Sequence, residues 1–107
     1  MSESGAEIRL WIDDLRPAPD ASWTIARSSA AAIGILSSGR VVRVSFDHDL
    51  GGSDTAMRVI EWLEVRCEQD PTFPLPAATV HSANPVGAAR LRDALAAIAR
   101  RRAGRGA

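Results

Sequence analysis

An α/β sandwich on a mainly parallel, four-stranded sheet is the fold this chain predicts, and three observations point to it. Four short apolar runs have the alternation or the valine content of strands. Between them, and after the last, apolar residues recur at the longer period of an amphipathic helix. Three of the runs end in polar loops, as strands do where they reach the crevice at the carboxyl edge of an open parallel sheet. The resulting order is β-β-α-β-α-β-α, with no internal repeat. The 107 residues make one domain, 1–107, with a core over about 7–99 and flexible ends at 1–6 and 100–107.

Residues 7–12, Glu-Ile-Arg-Leu-Trp-Ile, alternate into an apolar finish and read as the first strand. Arg16-Pro-Ala-Pro-Asp-Ala-Ser breaks it, because two prolines exclude both a helix and ladder donors. Trp23-Thr-Ile-Ala is a short second strand. Ser28 or Ser29 caps a helix through Ile33, Ile35 and Leu36, which stops near Gly39. Val41 to Phe46 is a valine-rich central strand. After Asp47-His48-Asp49-Leu50-Gly51-Gly52, helical spacing links Ala56, Val59, Ile60, Leu63 and Cys67, with Asp54 as the expected N-cap. Pro71-Thr-Phe-Pro-Leu-Pro is a loop, and Ala77 to Val80 is the last strand. Asn84-Pro85 joins an N-cap to a proline at the first helical position, opening a helix with Ala88, Leu91, Leu95 and Ile98 as its buried stripe.

Hydrophobic content of 46% and charged content of 24% are those of an ordinary globular protein. No apolar run reaches the roughly 18 residues of a membrane span, and Met1 to Glu7 carries no signal-peptide core. The expectation is a soluble, cytoplasmic protein without membrane contact. A lone Cys67 excludes an internal disulfide and a thiolate zinc site. Every basic residue is Arg, and four of the thirteen (Arg100, Arg101, Arg102 and Arg105) lie in the C-terminal tail. Residues 1–99 therefore hold nine Arg against thirteen Asp and Glu, a net of −4. Such a body lacks the basic patch of a duplex-binding domain, so sequence-specific DNA binding is not expected. The arginine tail reads as a solvated helix end with cations near its C-terminal dipole, or as a contact to RNA.

Nearly all residues capable of chemistry fall in the three loops after strands. Asp13-Asp14 alone could be turn chemistry. Beside Asp47 and Asp49 after the central strand, they form four carboxylates suited to a hard divalent cation, Mg²⁺ or Mn²⁺, which also bridges to phosphate. His48 and His81 occupy ends of strands facing the same crevice, His81 for acid–base work and His48 as ligand or proton donor. A two-histidine zinc site is the alternative. Asn84 is explained by its cap alone, yet the amides after Pro85 would face an anion in the crevice. Ser82 is a helix cap or a hydroxyl donor to phosphate. Arg16 balances phosphate charge or pairs with Asp20 or Glu7. Trp11 and Trp62 read as packing residues, and Trp23 as packing or a stacking surface for a base.

Taken in order, Leu-Trp-Ile-Asp13-Asp14-Leu-Arg16-Pro17, Trp23-Thr-Ile-Ala-Arg27-Ser, Phe-Asp47-His48-Asp49-Leu-Gly51 and His81-Ser82-Ala-Asn84-Pro85 resemble the cyclic-phosphate processing receiver domain family, from about residue 8 to residue 99. The resemblance implies a flavodoxin/receiver-like three-layer sandwich, reduced relative to a full receiver. It also implies a substrate that is a cyclic nucleotide or an RNA end carrying a 2′,3′-cyclic phosphate. Compared with phosphoacceptor receivers, Asp13-Asp14 match the metal-binding acidic pair, Asp47 the phosphorylated aspartate and Ser82 the switch hydroxyl. Two departures stand out: a Pro-rich loop replaces the helix between the first two strands, and neither the final strand nor its lysine is present. The implied activity is a metal-dependent phosphodiesterase. Asp13, Asp14, Asp47 and Asp49 would hold the metal, His81 would protonate the leaving oxygen, and His48 would act as base or orient the phosphate. Arg16, Ser82 and Asn84 would contact phosphate, and Asp47 as a covalent nucleophile is a variant. The alternative is a degenerate receiver module that binds a metal, a phosphoryl group or a cyclic nucleotide and signals to a protein partner; a protein partner or a homodimer is expected as a possible assembly. A scaffold subunit serving another chain's site is a third reading.

Overall fold

The computed structural model describes residues 6–106. The elements follow in the expected order: β1 (Ile8–Ile12), β2 (Trp23–Ala26), α1 (Ser29–Leu36), β3 (Val41–Phe46), α2 (Met57–Gln69), β4 (Ala77–Val80) and α3 (Pro85–Gly106). The four strands form one sheet in the order β2-β1-β3-β4, and every pairing is parallel. This is the reduced receiver-like α/β architecture. β1 and β3, the central pair, keep a regular register from Arg9↔Arg43 to Ile12↔Phe46, with a bulge below it at Ile8/Arg9.

The layering differs from the three layers expected. From β2 to β3 to β4 the chain moves across the sheet in one direction, and right-handed crossovers in one direction leave their helices on one face. α1 accordingly packs on α2, and α2 on α3. One hydrophobic core joins Leu10, Ile12, Val44 and Phe46 of the sheet to Leu36 of α1, Leu63 of α2 and Leu91 of α3. Each such fully buried side chain contributes about 1.5–3 kcal/mol of apolar transfer. The step from β1 to β2 runs the other way, so a helix there would cover the opposite face. Residues 13–22 hold Pro17 and Pro19 and form a loop instead. The sandwich therefore has two layers, and no helix among the described residues covers the second sheet face.

Local signals explain the helix ends. Ser28 accepts the Ala31 amide through its hydroxyl and caps α1. Gly39 closes that helix in the left-handed region, at φ 73°. α2 starts at Met57 without a side-chain cap. Asp54, expected to cap α2, reaches back to α1 instead, accepting the Ser29 amide at 2.9 Å and its hydroxyl at 2.6 Å. Val59, Ile60, Leu63 and Cys67 are buried as their spacing predicts, and so are Ala88, Leu91 and Ile98 of α3, while Leu95 is half-buried. Trp62 packs edge-on against Phe73 with ring centroids 5.8 Å apart. α3 continues to Gly106, and residue 107 of the expected C-terminal flexible end lies outside the described residues. Arg101 pairs with Glu64 of α2 at 2.9 Å, and Arg102 donates to the Phe73 carbonyl. Residues 1–5 of the expected N-terminal flexible end lie outside the described residues. No helix among the described residues is long and apolar enough to cross a membrane.

Candidate functional site

The sheet ladder runs one residue past its strands and aligns the site. The Asp13 amide donates to the Ala26 carbonyl, that of Asp47 to Ile12, and that of His81 to Phe46. Asp13, Asp47 and His81 thus stand side by side at the carboxyl edge of β1, β3 and β4. Each follows a core-facing residue, and alternation turns all three toward the uncovered face. Asp14 completes an acidic triad: one carboxylate oxygen from each of Asp13, Asp14 and Asp47 lies within 4.8 Å of the others. Gly51, at φ 93°, brings the following loop against Asp14, where a Cβ would lie 3.4 Å from Oδ2. Three carboxylates are hard oxygen donors that fit a divalent cation.

Asp13 is the buried member, 1% exposed. Burial alone would push its carboxyl up. The amides of Arg16 and Leu15 and the ring of His81 outweigh burial and hold the carboxyl below its ordinary value. Oδ1 accepts the Leu15 amide at 2.9 Å and the Arg16 amide at 2.8 Å, and Oδ2 faces His81 Nε2 at 3.0 Å. An ionised carboxylate only accepts, so Nε2 bears the hydrogen. The other ring nitrogen, Nδ1, meets the Ser45 hydroxyl at 2.7 Å. Beneath the ring lies Trp11, parallel to within 7° and 3.8 Å away between centroids.

The loop after β1 is clamped from three directions. Arg27 Nη1 donates to the carbonyls of Asp13 and Arg16, and Trp11 Nε1 donates to the same Arg16 carbonyl. Arg16 Nη1 donates to the His81 carbonyl at 3.1 Å, in place of the considered pairing with Asp20 or Glu7.

Asp49 and His48 belong to a separate group. Asp49 Oδ1 holds His48 Nδ1 at 3.0 Å and its Oδ2 accepts from Asn84 Nδ2 at 3.1 Å, so it stands outside the triad. Those two contacts, Asn84 first, hold its carboxyl below the ordinary value. The His48 ring is buried against α3: a Cβ on Gly87 would come 2.4 Å from His48 Cγ. Its Nε2 is buried without a partner among the described residues. Asn84 Oδ1 accepts the Gly87 amide, the expected cap. Ser82 Oγ accepts the Asn84 amide, which leaves its hydroxyl hydrogen uncommitted. The expected four-carboxylate, two-histidine constellation thus divides into a triad with His81 and an anchor of His48, Asp49 and Asn84.

Ser45, Trp11 and Arg27 are residues of the site that loop-by-loop reading misses. Ser45 carried a signal: in Val-Val-Arg-Val-Ser-Phe it alternates with Val44 and Phe46, so its hydroxyl faces away from the core. Trp11 has the same parity relative to Leu10 and Ile12.

A parallel sheet with an acidic triad at the carboxyl edge of its central strands defines a receiver-like domain. The family description of the cyclic-phosphate processing receiver domain matches residues 8–97, and the chain belongs to that family. No curated protein and no solved structure matches the chain.

Proposed function

We propose that this domain is a divalent-metal-dependent phosphoesterase that opens cyclic phosphates, such as the 2′,3′-cyclic phosphate of a nucleotide or an RNA end. The observation that supports it most is the convergence of Asp13, Asp14 and Asp47 in a chain whose family is tied to cyclic-phosphate processing. Asp14 and Asp47, both half-buried, would offer open carboxylate oxygens to Mg²⁺ or Mn²⁺, and Asp13 a lone pair beside its bond to His81. A bound cation would polarise the phosphoryl oxygens and acidify water. Water would add to phosphorus and one ring P–O bond would break, the freed ribose oxygen taking a proton to give a monoester.

The exposed Arg16 guanidinium, anchored by Nη1 on the His81 carbonyl, would meet non-bridging oxygens. The Ser82 hydroxyl is a second donor. His81, with both ring nitrogens engaged, is assigned to orienting Asp13 rather than to protonating the leaving oxygen. His48 and Asn84 are assigned to anchoring α3.

The test is hydrolysis of 2′,3′-cyclic nucleotides and cyclic-ended RNA with Mg²⁺ or Mn²⁺ present. Turnover that vanishes in Asp47→Asn supports the reading; inert substrates beside an active control overturn it. The position of Asp47, at the end of β3 within the triad, favours a second reading as a phosphoryl-accepting module. Acetyl phosphate would then leave a stable adduct in intact mass, absent in Asp47→Asn.

A further inference from the structure

All-parallel sheets are almost always covered on both faces. Here no helix among the described residues covers the opposite face. The loop after β1 and the His81 ring bury Trp11 and Ser45 near its crest, the row below them stays open, and what stands on the face is ordered by the register. One row across three strands is Trp23, Arg9 and Arg43, direct neighbours in the β2-β1-β3 pairing. The next row toward the carboxyl edge is Ile25, Trp11 and Ser45, and Asp13, Asp47 and His81 follow at the crest. Arg9 and Arg43 are both exposed, and Ile25 is 40% exposed.

Like charges directly opposite on neighbouring strands are destabilising. Arg9 is partly compensated, through a bond to Ser22 at 3.3 Å and the nearby Asp20 carboxylate. Arg43 makes no ion pair among the described residues. Two side-by-side guanidinium groups next to a tryptophan suit an anionic chain with flat faces to stack. The net negative charge of residues 1–99 conceals this, because many of the carboxylates lie on the helices and in the site.

We infer that the uncovered sheet face binds single-stranded nucleic acid. Arg9 and Arg43 would hold backbone phosphates, and Trp23 would stack a base. The open row adjoins the candidate site through packed rings: Trp23 meets Trp11 edge-on at 5.8 Å, and the buried Trp11 stacks on His81. Four residues separate the arginine row from the aspartate row, about 13 Å of strand. A strand lying on the face would thus lead its end to the triad. This extension rests on the proposed cyclic-phosphate activity, whereas the binding itself does not. A second copy of the chain docked by a two-fold on this row would set arginine against arginine, which disfavours it.

Fluorescence anisotropy with labelled oligouridylate and oligothymidylate, both bearing a plain 3′-hydroxyl, tests binding apart from catalysis. The expected result is salt-sensitive binding, weakened about tenfold by Trp23→Ala. Arg43→Gln should lower the log–log salt slope by about one, and Arg43→Glu should weaken binding further. Stronger binding of one oligomer identifies RNA or DNA as the natural chain. Hydrolysis of a small cyclic nucleotide, where present, should be unchanged in Arg43→Gln. Arg43 is exposed, so this variant keeps the protein folded. Failure to bind either oligomer, or equal affinity and slope in Arg43→Gln, overturns the inference even if hydrolysis is intact. A dimer seen by sedimentation and dissolved by Arg43→Glu also overturns it, giving the face to a second copy. Oligomer binding without any turnover supports the inference and counts against the proposed activity alone.

Discussion

His81 and His48 each follow a strand and each bonds an aspartate, yet they sit in different kinds of structure. His81 stands on the uncovered side of the sheet, flat on Trp11, with Asp13 on one nitrogen and Ser45 on the other. His48 lies under the first turn of α3, where its bond to Asp49 joins a chain that ends on the helix cap Asn84. The first pair borders an acidic triad; the second ties a loop to a helix. What separates them is alternation past the strand end. The residue directly after β3 or β4 faces the open side, and the next one turns back toward the helical layer.

The largest expected effect tests the triad side of that division. Asp47→Asn or Asp14→Asn keeps the shape but removes a charged ligand, so Mn²⁺ affinity and any hydrolysis should fall by about two orders of magnitude or more. Asp49→Asn should change Mn²⁺ affinity little, and mainly lower thermal stability. Titration calorimetry on the variants checks both halves, and equal losses from Asp49 and Asp47 would put Asp49 back among the ligands.

Asp13 should show itself first in stability. Its buried carboxylate accepts two amides and the His81 ring, so Asp13→Ala leaves those donors unpaired, at a cost of about 3 kcal/mol. Because its folded pKa lies below the ordinary value, its contribution is complete above about pH 4 and fades as pH falls through the folded value. Urea unfolding of the two proteins should therefore differ most near neutrality and converge in acid. A gap that widens on acidification would contradict the assignment.

Much of this molecule could be read from local sequence, and what could not follows a pattern. The strands, the Ser28 and Asn84 caps and the stripe of α2 rest on residues within a turn or two of each other. The role of Asp54 is not local, because its partner, Ser29, lies 25 residues back along the chain. The layer count is not legible locally, because it depends on the direction in which β1 steps to β2, and the loop of 13–22 shows only that a helix is missing. The triad is legible as acidic residues at strand ends; which way Asp49 and His48 turn is not, because proximity in sequence hides side-chain direction.

The anchor side of the comparison yields the next effect. At Gly87 a methyl group would come 2.4 Å from Cγ and 2.8 Å from Cβ of His48, a clash with the inner atoms of a buried ring. Gly87→Ala should cost about 1–3 kcal/mol as the ring or the helix start shifts. Most of that cost should disappear when His48→Ala is already present, a coupling that thermal or urea unfolding of the four proteins would measure. Additive costs would mean that Gly87 serves the helix turn and not the histidine.

The smallest effect is the most specific. Ser45→Ala removes the hydroxyl on His81 Nδ1 and should cost about 1 kcal/mol in stability. Asp13 still accepts the Nε2 hydrogen, so the tautomer should persist while the ring loses one of its two fixed ends. Imidazole nitrogen NMR would then show Nε2 still protonated and Nδ1 changed, with Mn²⁺ affinity reduced only a few-fold. Ser45→Thr restores a hydroxyl and should recover the Nδ1 signal, since a β-branched residue suits a central strand. If Nε2 loses its hydrogen in Ser45→Ala, the order of control is reversed: Ser45 sets the tautomer, and Asp13 follows it.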